Sequence, residues 1–490
     1  MEYKIKILVV GGGVSGFISA LILKNFLNVQ VDLVYSDNIG TIGVGEGSTE
    51  HFRTFMDFCG ISNEEIVCQT DATYKVGLIY DNWTEKPYMH NVSKILAEDR
   101  INRFSHVYSK LLSEGSDHLT TSFFWRNKIS SWFSEKVYPN PPVNQYHFNS
   151  LKLIEFLKNK SISTGIGVFE DTVSEVSVDQ SGNIEYVQGI KKKYYYDFFI
   201  DCTGFKRILI SKLGAKWISH SKYLKTNSAI VFQTPDTEDY NLWSYSRAME
   251  YGWMFRLPTW GRHGNGYIYS NEYITSDQAK KEIEDYLGYE INVGKELSFD
   301  PGALDVAWIN NCVAIGLSSN FVEPLEASSI GTTIQQSFLL ANRIINYDQS
   351  VIKKYNWSFN SIITNIRDFI VLHYIVKKEN TKFWKDLKNL ELPETLKDRL
   401  DLWKYKLPIP EDFAHESNYV LFRDSNFISV LGGLKFYSQE FLKKEFDSLA
   451  LDIQKDAELL IKERDDIDNS TGLIGHKELL LKIRNDYLEK

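Results

Sequence analysis

The sequence predicts an α/β protein with a mainly helical C-terminal part, and three observations lead to that prediction. The chain opens with an apolar strand, a glycine-rich turn, an apolar helix and a second apolar strand. Later segments alternate like strands and are separated by glycine-containing turns. Further along, apolar residues recur at three- and four-residue intervals, which is typical of helices. We therefore predict residues 1–350 as one module with a mixed β-sheet, and residues 351–490 as helices packed on it.

The N-terminal unit has the order of a dinucleotide-binding motif. Residues 5–10 are predicted as a buried strand, residues 17–26 as a helix and residues 29–35 as a second strand. Between the first strand and the helix lies Gly11-Gly12-Gly13-Val14-Ser15-Gly16, which matches the GxGxxG fingerprint. The first glycine permits a tight turn, the second lets a pyrophosphate approach, and the third allows close helix–strand packing. This context predicts a Rossmann-type nucleotide site at the helix N-terminus.

The end of the second strand departs from the usual pattern. An acidic residue that binds the ribose is expected there, but the sequence is Val34-Tyr35-Ser36-Asp37. Two interpretations stay open. Either Asp37 takes the place of the expected acid, or Ser36 and backbone groups hold the ribose.

Later segments favour FAD over NAD as the nucleotide. Residues 181–200 alternate like antiparallel strands and lead into residues 201–204, and another strand ends at Gly316. These elements suit a large, two-part flavin-binding domain. No second GxGxxG follows a strand, so we expect electrons to arrive from a separate protein. Residues 358–377 and 437–463 carry helical periodicity.

Composition argues against several other classes of protein. The 490 residues carry a net charge of −9, which disfavours nucleic acid as a partner. The four cysteines form no CxxC pair, so we expect neither a disulfide framework nor a metal site. The sequence shows no signal-peptide pattern and no run of about 18 uncharged apolar residues. We expect a cytoplasmic enzyme without membrane contact.

Further motifs follow one another along the chain. They are residues 42–47, 72–83, 146–148, 201–205, 321–326 and 367–374, and then Phe383-Trp384. In these motifs the sequence resembles the flavin-dependent tryptophan halogenase family over most of its length. Several separate motifs in one order are more specific than any one of them. The resemblance implies a Rossmann-type FAD domain, a mixed sheet on the substrate side, and a helical part that contributes to the substrate pocket.

The resemblance also implies a reaction. Reduced FAD (FADH2), O2 and a halide (bromide, chloride or iodide) together give hypohalous acid. The oxidant crosses an internal tunnel to an electron-rich aromatic substrate, indole-like or phenolic. A separate flavin reductase supplies the FADH2, and a homodimer is among the assemblies we consider.

Lys75 and Glu326 are the catalytic residues that the resemblance implies. An ammonium group at Lys75 can donate a hydrogen bond to the oxidant, and a neutral amine can form a haloamine. Free lysine titrates at about 10.4, so burial is needed to make the amine common at neutral pH. Glu326 can stabilise the cation formed by electrophilic attack on an aromatic ring and help to remove its proton.

Cofactor and halide contacts are implied in the same way. The residues expected to contact FAD are Gly11, Gly13, Val14, Ser15, Gly16, Ser36, Asp37, Glu46, Gly47, Val173, Gly316 and Leu317. The expected halide site is formed by the backbone amides of Ser328 and Ser329, where many relatives have Thr-Gly. These serines motivate a prediction that bromide or iodide is preferred over chloride.

One motif differs from the family pattern. The family's Trp-x-Trp-x-Ile-Pro appears as Trp253-Met254-Phe255-Arg256-Leu257-Pro258, in which Phe255 keeps a ring but lacks the indole N–H. Two alternative functions are therefore kept, a flavin-dependent aromatic monooxygenase (hydroxylase) and a non-catalytic FAD-binding protein. Phe123, Phe124 and Trp125 are candidates for the substrate pocket, although core packing explains them more simply.

Overall fold

The computed structural model describes residues 5–38, 45–92, 103–114, 128–130, 145–468 and 473–489. Two groups of residues singled out from the sequence, Phe123 to Trp125 and the glycine-rich residues 42–44, lie outside these ranges.

Strands are numbered in chain order within the described residues. They are β1 Lys6–Val10, β2 Gln30–Tyr35, β3 Glu46–Gly47, β4 Thr73–Lys75, β5 Gly77–Asp81, β6 Tyr88–Asn91, β7 Lys128–Ser130, β8 Gln145–Phe148, β9 Gly167–Glu170, β10 Val173–Val178, β11 Ile184–Gly189, β12 Lys193–Tyr194, β13 Phe198–Asp201, β14 Trp217–Ser219, β15 Ser228–Pro235, β16 Trp243–Ala248, β17 Gly252–Thr259, β18 Arg262–Tyr269, β19 Val293–Ser298, β20 Gly302–Leu304, β21 Trp308–Ile309, β22 Cys312–Ala314, β23 Asn320–Phe321 and β24 Leu473–Gly475.

The α-helices are numbered in the same way. They are α1 Val14–Phe26, α2 His51–Phe58, α3 Asn63–Gln69, α4 Arg103–Ser113, α5 Ser150–Ser163, α6 Ser276–Leu287, α7 Ser328–Ala341, α8 Gln349–His373, α9 Lys382–Lys388, α10 Glu394–Trp403, α11 Asp424–Gly433, α12 Gln439–Asp447, α13 Leu451–Asp468 and α14 His476–Leu488.

The largest parallel sheet has the predicted dinucleotide-binding order. Its strands lie in the order β21-β22-β13-β1-β2-β9, and β1 is parallel to both β2 and β13. Ile7, Leu8 and Val9 in β1 are fully buried, because helices and other layers cover both faces of a parallel sheet. The predicted α/β class and the Rossmann-type unit are confirmed.

Helix α1 packs against α7 through two pairs of hydroxyl groups. Ser15 Oγ lies 3.0 Å from Thr333 Oγ1, and one helical turn further on Ser19 Oγ lies 2.9 Å from Ser337 Oγ. Small polar residues at this spacing let the two helix backbones approach closely. The contact fixes the start of α7, where Ser328 and Ser329 lie, relative to the glycine-rich turn before α1.

A second layer places the candidate catalytic residues. A seven-stranded sheet has the order β19-β15-β18-β17-β16-β5-β6, and a short three-stranded sheet has the order β3-β8-β4. Lys75 is the last residue of β4, directly before the bend into β5. It therefore lies where the small sheet meets the large one.

The helical C-terminal part differs from the sequence prediction in its boundaries. Helix α8 begins at Gln349, where the Asp348 side chain accepts hydrogen bonds from two amides, and it ends at His373. The predicted division between residues 350 and 351 therefore falls inside a helix. The segment 437–463 is two helices, because the chain turns so that both α12 and α13 pack into one small core with α4.

The main hydrophobic core joins the two predicted regions. It includes Leu8 and Phe17 from the first, and Phe369, Trp384 and Leu431 from the second. Among the helices in the described ranges, none combines the length and apolarity needed to cross a membrane.

Candidate active site

Loops that follow four parallel strands meet at one edge of the six-stranded sheet. Residues 11–16 follow β1, Ser36 and Asp37 follow β2, residues 202–204 follow β13, and Gly316 follows β22. The carboxyl edge of a parallel sheet is where nucleotides bind in such folds. The structure thus brings together most of the residues that the sequence predicts for FAD.

Each glycine of the fingerprint is required for a different structural reason. Gly11 has φ +126°, and a Cβ atom placed there would lie 2.2 Å from the carbonyl oxygen of Cys202. A Cβ at Gly16 would lie 1.9 Å from the carbonyl oxygen of Gly11. A Cβ at Gly13, by contrast, would meet no described atom within 4 Å. The open space beside Gly13 is where a pyrophosphate fits, so the residues present suit a dinucleotide.

The N-terminus of α1 suits an anionic group. The helix follows Gly13 with no side-chain cap from a described residue and no acidic residue in its first turn. The amides of Val14 and Ser15 therefore keep their hydrogen-bonding capacity for a phosphate. Gly316 has φ +71°, and a Cβ there would lie 2.2 Å from Ser15 Oγ. Gly316 and Leu317 consequently lie directly against the start of α1.

The region after β2 offers both candidate ribose ligands at the sheet edge. Lys158 Nζ donates to the hydroxyl of the half-buried Tyr35 and also lies over its ring. Ser36 Oγ is hydrogen-bonded to Thr172 Oγ1 at 2.7 Å, next to Val173, and keeps capacity for a further hydrogen bond. The Asp37 side chain is exposed. Both interpretations of the ribose site therefore stay open.

Lys75 is almost completely buried, with 1% of its surface exposed. Its Nζ donates a hydrogen bond of 2.9 Å to the carbonyl oxygen of Ser48. Burial lowers the pKa of Lys75 to about 8, although the charges of Glu326 and Glu50 act in the opposite direction. The ammonium is still the main form at neutral pH, but the neutral amine is far more abundant than it is for an exposed lysine, in the direction that the sequence argument requires.

Helix α14 holds the strand of Lys75 in place. The backbone N–H of Tyr74 donates to His476 Nε2 at 3.0 Å, and His476 Nδ1 lies 3.2 Å from the carbonyl oxygen of Tyr240. A carbonyl can only accept, so Nδ1 carries the proton and Nε2 accepts. Burial lowers the pKa of His476 to about 4, which keeps this neutral form over the working pH range.

Gly47 leaves a small space beside the Lys75 amine. A Cβ at Gly47 would lie 3.2 Å from Ala327 Cβ, 3.6 Å from Lys75 Nζ and 3.8 Å from Ser244 Oγ. The residue after Glu326 and the tip of Lys75 therefore border the same point. Next to Gly47, burial raises the pKa of Glu46 to about 7, an effect that a hydrogen bond with Ser150 reduces.

Glu326 ends a short 3-10 turn, Pro324–Glu326, and is 2% exposed. Its carboxylate is surrounded by three side chains. Tyr80 OH donates to Oε1 at 2.5 Å, His90 Nδ1 lies 2.9 Å from both oxygens, and His373 Nε2 lies 2.8 Å from Oε1. Burial alone would raise the pKa of Glu326, but His90 and His373 outweigh burial and lower it well below its usual range.

Hydrogen-bond directions fix the proton on His90. The Arg423 amide donates to Asn426 Oδ1 at 2.8 Å, so Asn426 Nδ2 faces His90 Nε2 at 3.2 Å. An amide NH2 can only donate, and His90 Nε2 therefore accepts. His90 donates its Nδ1–H to Glu326.

His373 lies beside Glu326 at the end of helix α8. Its Nδ1 lies 2.8 Å from the carbonyl oxygen of Phe369 and donates to it. Its Nε2 lies 2.8 Å from Glu326 Oε1, so the two side chains form an ion pair whenever His373 is protonated. Both side chains have almost no solvent contact.

Ser328 and Ser329 form the first turn of α7, directly after Glu326. Ala327 precedes the helix with φ 52°, and no side chain of a described residue caps it. The amides of both serines therefore point out of the helix start, where the helix dipole favours an anion. This geometry agrees with a halide site, which stays a prediction for this chain.

The altered Trp253 motif lies on β17. Trp253 Nε1 donates to Glu323 Oε2 at 3.3 Å, and the Thr226 hydroxyl donates to the same oxygen. Burial raises the pKa of Glu323, which favours its neutral form. The Phe255 ring lies across its paired residue Gly266, where a Cβ would come within 2.4 Å of the ring. The aromatic position of the family motif is therefore filled by the smaller ring.

Sequence reasoning assigned no role to three residues of the Glu326 site. Tyr80 and His373 lie in motifs that were recognised, but nothing in their sequence context shows that they contact Glu326. His90 lies in an ordinary strand, β6, and gives no sequence signal at all. Among the described residues, no group of three or more His, Cys, Asp or Glu side chains is arranged to hold a metal ion.

Comparisons with known proteins agree with this fold. A family model described as tryptophan halogenase matches residues 6–446. The tryptophan 6-halogenase of Streptomyces toxytricini is 30% identical over 448 residues, which cover 83% of this chain and 85% of the relative. The tryptophan 7-halogenase of Lentzea aerocolonigenes is 28% identical, with 88% and 89% covered.

Solved structures show the same similarity over the whole length. A tryptophan halogenase from Shewanella frigidimarina superimposes with a TM-score of 0.86 at 25% identity, covering 99% of this chain and 98% of that one. A flavin-dependent halogenase from Xanthomonas campestris has a TM-score of 0.81 at 27% identity, with 98% and 99% covered. The fold is that of the flavin-dependent halogenases. Within that class, the chain belongs to the tryptophan halogenase family.

Proposed function

We propose that this enzyme halogenates an electron-rich aromatic compound, indole-like or phenolic, with FADH2, O2 and a halide. The observation that carries the proposal is the pair of buried groups, Lys75 and Glu326, which lie close enough for the charge of Glu326 to act on the Lys75 amine. A hydroxylase of the same fold would not need this pair. Bound FADH2, with oxygen and halide, supplies hypohalous acid.

The residues at the carboxyl edge of the six-stranded sheet would hold FAD. The amides of Val14 and Ser15 would bind the pyrophosphate beside Gly13, and Ser36 or Asp37 would bind the ribose. Gly316 and Leu317 would extend the site toward the start of α7, where the amides of Ser328 and Ser329 would hold the halide. Glu46, Gly47 and Val173 complete the proposed set of contacts.

Lys75 would bind and carry the halogen. Its buried amine lies away from bulk water, so the oxidant is not lost to side reactions with solvent. Glu326 would stabilise the positive charge that builds up on the ring during attack. Because its pKa is held low by His90 and His373, Glu326 acts by charge rather than as a strong base.

A separate flavin reductase would supply the FADH2, in accord with the absence of a second GxGxxG in the sequence. The preference for bromide or iodide over chloride, the cytoplasmic location and the homodimer stay predictions.

The first test is an assay of the purified enzyme with FAD, a flavin reductase, NADH, oxygen, bromide and a panel of indoles and phenols. We expect brominated product by mass spectrometry. A mass gain of oxygen without halogen would show a hydroxylase instead. Tight FAD binding without any halide-dependent product from the whole panel would support the non-catalytic alternative.

A substitution at Gly13 should lower FAD affinity without changing the stability of the fold. In Gly13→Val the new side chain meets no described atom at its Cβ, and it projects into the proposed pyrophosphate space. We expect FAD affinity to fall by at least about tenfold, because the backbone can no longer approach the phosphates. Fluorescence titration of FAD measures the affinity, and thermal unfolding without FAD should match the wild type. Unchanged FAD affinity would contradict the placement of the cofactor.

A further inference from the structure

The strand that carries Lys75 has one open edge in its own sheet. In the three-stranded sheet β3-β8-β4 the central strand is β8, so β4 is paired there on one side only. Tyr74 lies opposite Tyr146 of β8, and its N–H points the other way, toward the open edge. Tyr74 is 1% exposed, and a buried amide without an acceptor is costly. This edge therefore requires an acceptor from elsewhere in the chain.

Helix α14 covers the open edge. Its residues His476 and Arg484 are separated by about 12 Å along a helix. Their contacts, Tyr74 and Asp71, are separated by about 10 Å along an extended chain. Arg484 also donates to the carbonyl oxygen of Val67 at 2.7 Å. The helix thus runs alongside the segment that leads into β4 and contacts it at two points.

His476 satisfies two backbone groups at once. Its Nε2 accepts the Tyr74 N–H at 3.0 Å, and its Nδ1 donates to the carbonyl oxygen of Tyr240 at 3.2 Å. A neutral imidazole offers one donor and one acceptor, and burial keeps this ring neutral by lowering the pKa of His476 to about 4. The ring also stacks on that of Tyr74, with the centroids 5.9 Å apart. His476 therefore links β4 to the segment that precedes β16.

The amides on both sides of Lys75 are bonded to groups outside the small sheet. Before Lys75, the Tyr74 N–H bonds to His476. After it, the Val76 N–H donates to the carbonyl oxygen of Leu242 at 2.7 Å. These two bonds set the direction in which the Lys75 side chain leaves the strand. Loss of either one leaves that direction less well defined.

We propose that His476 is a positioning residue for halogen transfer, which acts through the Tyr74 amide to hold Lys75 where its amine accepts the halogen. The inference rests on the proposed function and adds one residue to it. His476 takes no part in the chemistry itself. Helix α14 lies beyond residues 6–446, the stretch that the family model matches, so that match assigns the helix no role.

The reaction at Lys75 depends on small distances. A displacement of about 1 Å at a reacting group can cost about 100-fold in rate. The Lys75 Nζ is held at 2.9 Å from the Ser48 carbonyl oxygen, and this position depends on the backbone from which the side chain extends. The proposed FAD contacts belong mainly to the six-stranded sheet, which does not include β4. A misplaced Lys75 should therefore show itself as flavin oxidised without halogenated product.

The first test replaces His476 with leucine, which can neither accept from Tyr74 nor donate to Tyr240. H476L should give at least about tenfold less halogenated product per flavin oxidised, while FAD affinity and the rate of flavin oxidation stay close to those of the wild type. His476→Gln keeps an acceptor and a donor on one terminal amide and should restore most of the product. A wild-type ratio in H476L, or a loss in H476Q as large as that in H476L, would overturn the positioning role.

Tyr487→Phe is the matched control within the same helix. The Tyr487 hydroxyl accepts from Gln69 Nε2 at 2.8 Å, so Y487F removes a polar contact of α14 that does not involve β4. It should keep the wild-type ratio of halogenated product to flavin oxidised. If Y487F lowers this ratio as much as H476L does, general loosening of α14 explains both variants and His476 has no specific role.

Hydrogen–deuterium exchange tests the same inference without turnover. The peptide that contains Tyr74 and Val76 should exchange slowly in the wild type, because both amides are buried and bonded. H476L should exchange at least about tenfold faster in this peptide, the effect of one lost buried hydrogen bond, while the peptide that contains β1 stays unchanged.

Equal exchange of this peptide in H476L and the wild type would overturn the positioning role even if the enzyme halogenates. Absence of halogenated product from the wild type would instead contradict the proposed function, whatever the exchange shows. The two failures can therefore be told apart.

Discussion

Replacing Lys75 with methionine should abolish halogenated product while the enzyme goes on oxidising reduced flavin. Methionine has a similar length and no amine, and it suits a position that is 1% exposed. The loss should be at least about 10³-fold, as for other groups on which the chemistry depends directly. Flavin oxidation should persist, because the proposed FAD contacts lie at the sheet edge and do not involve this side chain.

The readout is the ratio of halogenated product to flavin oxidised, with hydrogen peroxide measured in parallel. Lys152→Met is the matched control, since Lys152 is half-exposed and pairs with Asp71 at 2.9 Å, close to the same sheet. The control should retain the wild-type ratio. A K75M variant that still halogenates at a tenth of the wild-type rate would remove Lys75 from the mechanism.

Replacing Glu326 with glutamine should lower halogenation by about 10² to 10³-fold, the usual effect of removing a charge or donor that stabilises a transition state. The amide keeps the size of the side chain but has no negative charge for the ring cation. It also replaces one carboxylate oxygen with an NH2 group at a point that Tyr80 and His90 face. E326Q should therefore also unfold at a lower temperature than the wild type, because a buried donor left without an acceptor is destabilising.

Glu323→Gln is the control for this variant, because it changes a glutamate of equal burial three residues away. Burial raises the pKa of Glu323, which shifts it toward the neutral acid that an amide resembles in charge and shape. E323Q should stay within about threefold of the wild type, a loss of about 0.65 kcal/mol by the usual conversion. Equal losses in E323Q and E326Q would show that burial of a carboxyl, and not the charge of Glu326, decides the rate.

The parts of the fold that could be predicted from sequence are those set by local spacing. The strand, glycine turn and helix around Gly11 to Gly16 lie within a few residues of one another, so their pattern alone identifies the unit. Helical periodicity also placed α8 correctly as a helix. It did not show where α8 begins, because that depends on the Asp348 cap, nor the turn between α12 and α13, because that depends on packing against α4.

The surroundings of Glu326 could not be predicted in this way. His90 lies 236 positions before Glu326, and no periodicity or spacing relates the two residues. The ring nitrogen that donates in His90 and in His373 depends on Asn426 and on the Phe369 carbonyl, which are separate contacts made only in the folded chain. The resemblance pointed to the two catalytic residues, while the geometry explains why the carboxylate keeps its charge.

The bond between Tyr74 and His476 has a consequence for the order in which the enzyme becomes active. It joins residues 402 positions apart, so the strand that carries Lys75 is synthesised early and secured late. A nascent chain that has completed the nucleotide-binding sheet still lacks α14. The strand that carries Lys75 can therefore reach its final position only after the last helix has been synthesised and has packed, through Leu479 and Leu480, into the main core.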